Sequence, residues 1–290
     1  MAPILVVGSI NADQVVVTDI VPRLGETVIG KSFKIVPGGK GANQAVAASR
    51  LGADVSFIGC VGNDTNGTFL LNNFKNNNVI TDGIKIIDNA SSGIAAITVC
   101  EGKNSIIVAP GANYHVTKEI IDEKIDLILK ANLVLLQLEI PLDTVEYIVD
   151  ICYENKIPVI LNPAPAFKLK ESIIDKVTYL TPNEHETETI FNTNDFDSLV
   201  TKYPNKLIIT LGEKGLMYFD GEKVINIPAN KVEVVDTTGA GDTFNGALAY
   251  KLVNNASLKD SLIFANKAAS LKIKQVGAQN GMPTLSEMEE

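Results

Sequence analysis

Apolar and polar positions follow two rhythms along this chain, and the change between them divides it. Short apolar runs predict strands at 4–7, 55–59, 133–138, 158–161, 177–180, 207–211 and 232–235. Elsewhere apolar residues recur every three or four positions, which predicts helices at 44–51, 65–77, 118–130, 142–155 and 257–274. Helices alternating with wholly apolar strands imply a mostly parallel sheet covered on both faces, a three-layer α/β/α fold. Two stretches break the rhythm. Segments 15–19 and 27–36 read as strands with no crossover helix, and 93–99 and 105–109 flank Glu101-Gly102-Lys103-Asn104 as a hairpin. The expectation is one α/β unit over 1–290 with a small β-sheet lid from about 15–36 and 92–109.

Polar residues collect just past the strand ends: Asn11, Asp13, Glu139, Asn162, Asn183, Glu186, Thr210 and Asp236. Each alone reads as a turn former or cap. Together they mark the carboxyl edge of a parallel sheet, where such folds bind ligands.

The sharpest feature is the run from Val232 to Gly246. A β-branched stretch ends in Asp236-Thr237-Thr238-Gly239-Ala240-Gly241-Asp242, and Phe244, Leu248 and Leu252 then recur at helical spacing. A strand, a glycine turn and a helix start would aim backbone N–H groups and the positive helix end at an anion. Asp242 on the first turn is then a candidate proton acceptor, or only a helix cap. Gly38-Gly39-Lys40-Gly41 forms a second glycine turn before an Ala-rich helix that Gly52 stops.

Composition narrows the partners. The charge is −9, from 25 basic and 34 acidic residues, with no basic block, so neither nucleic acid nor an anionic membrane is expected. An acidic protein that handles phosphates needs local amides, a few lysines and a metal ion. Cys60, Cys100 and Cys152 are far apart and fit a reduced, cytoplasmic protein. Asn11 and Asp13 interrupt any signal-like apolar run at the start, and Leu133–Leu136 is too short to span a bilayer. Only two histidines are present and no Gly-x-Ser-x-Gly occurs, which argues against a Ser–His–Asp hydrolase.

Two motifs mislead. Gly25-Glu26-Thr27-Val28-Ile29-Gly30-Lys31-Ser32 matches a P-loop on paper, but it follows no buried strand and runs into strand-like Phe33-Lys34-Ile35-Val36. Gly239-Ala240-Gly241 lacks the third glycine of a dinucleotide fingerprint, where Phe244 stands, and lies near the wrong end of the chain.

The two glycine turns, extended to Gly38-Gly39-Lys40-Gly41-Ala42-Asn43-Gln44-Ala45 and to Asp236-Thr237-Thr238-Gly239-Ala240-Gly241-Asp242-Thr243-Phe244, resemble the paired signatures of the ribokinase (PfkB-type) sugar kinase family. Gly8 to Asp13, Leu138-Glu139, Leu161 to Pro165, Thr181 to Glu184 and Thr210-Leu211-Gly212 follow in the family's order, so the resemblance covers essentially the whole chain. It implies phosphorylation of D-ribose at O5 by ATP, with Mg²⁺ and an activating K⁺. Asn11, Asp13, Gly39, Lys40, Gly41, Ala42, Asn43 and Glu139 would line the sugar pocket. Asp242 would be the base, and the amides of Gly239, Ala240, Gly241 and Asp242 the anion hole. Asn183 and Glu186 match positions near the phosphates and Mg²⁺; Thr210, Leu211, Gly212, Glu213, Lys214, Gly215 and Asn266 match the nucleotide pocket.

For K⁺ the resemblance implies Asp236, the carbonyl of Thr238, and carbonyls near Lys272, Gln275 and Gly277. Gly281 stands where the family can place a Ser in that site, and Asn266 where a His can lie beside adenine. The family's lids pair about a two-fold axis, which implies a homodimer. Deoxyribose, fructose or a nucleoside such as adenosine remain alternative acceptors. A non-catalytic sugar- or nucleotide-binding protein and a dehydrogenase are the readings from other classes.

Overall fold

The run Ile4–Val7 becomes a central strand of a six-stranded sheet, flanked by Leu133–Leu136 on one side and Val55–Gly62 on the other. Val159–Leu161 and Tyr179–Leu180 extend it in one direction and Ile80–Ile87 in the other, and every pairing is parallel. The computed structural model describes residues 3–289. Alternate side chains of the central strand face opposite layers. Ile4 and Val6 pack with Val46, Phe74, Phe244, Leu248 and Leu262, whereas Leu5 and Val7 pack with Ile121, Ile128, Ile148, Val149 and Ile173. A strand buried on both faces needs apolar residues at every position, which is why these runs show no alternation.

Beyond Leu180 the sheet continues through bridges Leu180–Leu207 and Asn183–Thr210 into a three-stranded antiparallel sheet of Ile209–Thr210, Leu216–Phe219 and Val224–Ile227. The stretches expected as a lid form a separate four-stranded sheet in the order Ser32–Gly38, Asn11–Val17, Gly93–Cys100, Lys103–Ala109. Its middle pair is parallel and its outer pairs antiparallel. The hairpin turns on Glu101 and Gly102, both at positive φ, the two-residue geometry that matches the twist of its strands.

Several boundaries differ from the sequence expectation. Val232–Val235 is not a strand: Val234 and Val235 lie exposed, and the segment is held by Val235 and Asp236 amides donating to the Ile273 carbonyl at 2.8 and 3.1 Å. Ile80–Ile87 is an additional strand that Asp82-Gly83 disguises as a turn; a Cβ on Gly83 would lie 2.4 Å from the Phe57 carbonyl, so close strand approach explains the glycine. Leu216–Phe219 and Val224–Ile227 are likewise additional. The strand expected over 27–36 occupies Ser32–Gly38, and the helix expected over 118–130 breaks at Lys124 into two short helices.

The helices Lys40–Arg50 and Ala240–Val253 cross closely beside the sheet. A Cβ on Gly246 would stand 2.7 Å from both the Ala47 Cβ and the Gln44 carbonyl oxygen. Helix propensity favours Ala over Gly by about 1 kcal/mol, but forcing a methyl into a packed contact costs about 1–3 kcal/mol. Gly246→Ala is therefore expected to lower stability in a urea melt; a more stable variant would show the crossing to be slack.

Candidate active site

Because all six strands are parallel, their carboxyl ends share one edge, and of the polar residues picked out in the sequence Asn162, Asn183, Glu186 and Thr210 line a common cavity there, whereas Asp236 follows no strand and lies outside it. The cavity, of about 170 Å³, is lined by Lys40, Asn162, Asn183, Glu186, Thr210 and the turn Gly239–Asp242, with Thr181, Thr237 and Asn245 beside them. Gly239 caps the helix Ala240–Val253 in the left-handed region at φ 79°, and a Cβ there would lie 2.8 Å from the Ala278 carbonyl oxygen. The Gly239, Gly241 and Asp242 amides have no protein acceptor among the described residues, whereas the Ala240 amide donates to the Thr237 carbonyl at 3.1 Å. Three of the four expected amides are thus left without a protein acceptor among the described residues. Asn245, which sequence reasoning passed over, steadies the turn by donating to the Gly241 carbonyl at 2.9 Å and accepting from the Thr181 hydroxyl at 2.7 Å.

Asp242 lines this cavity and reaches the start of the Lys40–Arg50 helix. Its Oδ2 accepts from Asn43 Nδ2 at 2.9 Å and its Oδ1 from Gln44 Nε2 at 3.1 Å. Gln44 also donates to Asn162 Oδ1 at 3.1 Å and accepts from Gln137 Nε2 at 2.7 Å, while Gln279 Nε2 donates to Asn43 Oδ1 at 2.9 Å. A chain of buried amides therefore fixes the carboxylate's plane. Gln44 stood inside the glycine motif; Gln137 and Gln279 carried no local signal.

The neighbouring cluster forms where the turn after Ile4–Val7 meets the start of the Lys40–Arg50 helix. Backbone packs on backbone: a Cβ on Gly41 would be 2.7 Å from the Ser9 nitrogen. The Ala42 amide donates to the Ser9 carbonyl at 2.9 Å, and Glu139 Oε2 accepts from the Ser9 hydroxyl at 2.5 Å and the Lys40 amide at 3.0 Å. Asn113, another unanticipated residue, donates from Nδ2 to Asn11 Oδ1 at 2.7 Å and accepts the Ile10 amide at 2.9 Å. Asp13 is half-buried here, close against Gly38.

The charges are mutually dependent. Burial, then the Glu139 and Asp242 charges, push the Asp13 carboxyl up to about 7. Lys40 projects into the anion cavity rather than only lining the sugar side. Burial works against its charge, but Asp242, Glu139 and Glu186 outweigh that and hold it above its usual range. Burial also raises Glu186, opposed by its bond from the Asn183 amide. Asn183 and Glu186 form a capping box, each accepting from the other's backbone N–H at 2.8 Å.

The remaining expected positions lie outside the cavity lining. Leu211 to Gly215 form a turn closed by the Leu211 amide on the Gly215 carbonyl at 2.7 Å, with Gly212, Glu213 and Lys214 toward solvent and Gly215 buried. Asn266 is buried and donates to the Pro228 carbonyl at 2.7 Å. Asp236 accepts from the Thr238 amide and hydroxyl at 2.9 and 2.6 Å and from the Gly277 amide at 2.8 Å. The Lys272 side chain, not just its carbonyl, enters this loop: Nζ donates to the Asp236 and Gln275 carbonyls at 2.9 and 3.4 Å.

A carboxylate between a cavity lined by helix-start amides and a cluster of polar side chains suited to hydroxyl groups is the arrangement of a phosphotransferase acting on an alcohol. The family described as pfkB family carbohydrate kinase matches residues 1–285, and the chain belongs to that family. It is 50% identical over 290 residues to a ribokinase of Bacillus subtilis (strain 168), covering 100% of this chain and 99% of that one. It is 48% identical over 289 residues to a ribokinase of Lactococcus lactis, covering 99% and 96%. The structure of an Arabidopsis thaliana ribokinase complexed with ribose and ATP superposes with a TM-score of 0.91 at 32% identity, covering 99% and 97%.

The raised Asp13 carboxyl gives a signed prediction. Its folded pKa of about 7 lies above the unfolded value, so its favourable contribution is present at low pH and is lost as pH rises to about 7. Asp13→Asn should gain in melting temperature on wild type as pH rises from about 4 to 7, with a constant gap above 7. The wild-type KM for the sugar should fall as pH rises through 7, a limb absent from the variant. A melting difference independent of pH would refute the shift.

Proposed function

We propose that this chain transfers the γ-phosphoryl group of ATP to O5 of D-ribose, giving D-ribose 5-phosphate and ADP. The observation that carries the reading is Asp242, buried at the first turn of a helix between the sugar-side residues and the amide-lined cavity, with both carboxylate oxygens oriented by Asn43 and Gln44. Asn11, Asp13 and Glu139 hold the sugar's hydroxyls, and Asp242 takes the proton from the primary hydroxyl as its oxygen attacks the γ-phosphorus. Charge on the moving phosphoryl group falls on the Gly239, Gly241 and Asp242 amides and on Lys40. The turn 211–215 and Asn266 receive the nucleoside.

Mg²⁺ fits this site as a companion of the phosphates. Asn183 and Glu186 would hold it, since the capping box uses only one Glu186 oxygen and leaves the other without a protein partner among the described residues. When bound it supplies neutralisation of the phosphate charge. The monovalent cation fits less well. The Gln275 carbonyl, one of its implied ligands, already receives the Lys272 ammonium, and a Cβ on Gly281 would lie 2.5 Å from the Lys272 carbonyl, leaving no room for a side-chain ligand there.

We place the four-stranded sheet as a lid over the sugar and as the contact of a homodimer. Phe33 and Ile107 are 60% and 72% exposed, and Ile35, Ile106 and Val108 lie near them on the outer strands. Apolar edge strands of this kind are a liability unless covered. No helix among the described residues is long and apolar enough to cross a membrane. Three free cysteines suit the reducing cytoplasm.

The decisive assay is ADP release from Mg-ATP with D-ribose, against deoxyribose, fructose and adenosine. Ribose should give the highest kcat/KM, and Asp242→Asn should lower kcat by about 10²–10⁴-fold without unfolding; near wild-type turnover in the variant would remove Asp242 as the base. Light scattering should give a dimer mass for wild type and a monomer mass for Phe33→Asp/Ile107→Asp; an unchanged mass would move the interface elsewhere.

A further inference from the structure

A lysine with no exposed surface is rare in any protein, because its charge loses hydration that only specific partners can replace. Lys272, the last residue of the helix Leu258–Lys272, is 0% exposed. Its ammonium points at no exposed carboxylate; it donates to two backbone carbonyls, those of Asp236 and Gln275. The first belongs to the segment that runs directly into the anion turn. The second belongs to the loop after the helix, which also supplies Gly277 to the Asp236 carboxylate and Ala278 to the underside of Gly239. The ammonium thus clamps together, through carbonyl oxygens and beside one carboxylate, the two segments on which the anion hole stands.

That is the work a bound monovalent cation does: it gathers carbonyl oxygens, balances a nearby carboxylate and fixes the backbone whose amides face the phosphates. An ammonium group and a potassium ion are of similar size and charge and favour the same oxygen donors. Asp236 does not need a further cation for orientation either, since both its oxygens already accept hydrogen bonds from Thr238 and Gly277.

Resting on the kinase reading above, we propose that the Lys272 ammonium is a covalently tethered monovalent cation for the anion-hole loop, so that turnover needs no free alkali ion. In this chain the cation is part of the sequence. Cation dependence, elsewhere a property of the solution, becomes a property of residue 272.

The test compares wild type, Lys272→Ala and Lys272→Met in potassium, sodium and choline chloride at equal ionic strength. Wild type should turn over ribose at the same rate in all three salts, with no melting shift specific to potassium. Lys272→Ala, which removes the ammonium but leaves its space and every carbonyl, should lose about 10²-fold in kcat in choline, the scale of losing anion-hole support. Potassium or ammonium chloride should restore much of that rate and raise the variant's melting temperature, as a ligand of the folded state must. Lys272→Met, which fills the space without charge, should be slow in every salt. A wild-type rate or melting temperature that climbs with potassium but not choline would overturn the proposal, and that result needs no variant to fold. The melting readout stands whether or not ribose is the acceptor, so failure of the acceptor assignment and failure of this inference can be told apart.

Discussion

Everything at the active edge depends on one buried carboxylate being held by side chains from the other end of the chain. Asp242 sits 199 residues from Asn43 and 198 from Gln44, and both amides reach it because two helices cross at Gly246 with almost no space between them. A buried carboxylate without partners is costly, and one with freely rotating partners is poorly aimed. Here the partners are themselves fixed, Gln44 by Gln137 and Asn162, Asn43 by Gln279. The close crossing, the amide chain and the oriented base form one construction; loosening any part of it disturbs the aim of the base before it disturbs the fold.

The same electrostatic economy explains an acidic protein that handles polyanions. Net charge is −9, and Asp13, Glu139, Glu186 and Asp242 all surround the site. On the reading proposed above, phosphate binding is left to helix-start amides, which carry no countercharge, and to Lys40, whose ammonium Asp242, Glu139 and Glu186 hold in its charged form. The same carboxylates that would serve the sugar hydroxyls thus maintain a lysine on the cavity wall.

The glycine turns were legible in the sequence because their chemistry is local. Gly39, Gly41 and Gly239 are needed where backbone meets backbone, and the polar residues past the strand ends, Asp236 excepted, fell on one edge because the strands proved parallel. Tertiary information was not legible. Val232–Val235 has the composition of a buried strand, yet no neighbouring strand exists to pair with it, and only the fold decides that. Gln137, Gln279 and Asn113 look like ordinary polar residues until distant partners reach them. Lys272 was noted for its carbonyl alone, since a charged side chain in an amphipathic helix reads as solvent-facing and only its burial reverses that.

The strand Asn11–Val17 belongs to two structures at once. Its first residue lies in the polar cluster beside the cavity, anchored by Asn113, and its last lies far out in the four-stranded sheet. Only Gly8, Ser9 and Ile10 separate it from the central strand of the main sheet. On the lid reading proposed above, the outer sheet would act as a lever pivoting near Asn11. At about 3.3 Å per residue its arm is roughly 20 Å long, so a rotation of about 10° at Asn11 would carry the far end about 4 Å. On that reading the sugar would be held where displacement is smallest and the cover would travel where displacement is greatest, so that opening to solvent would not loosen the hold on its hydroxyls.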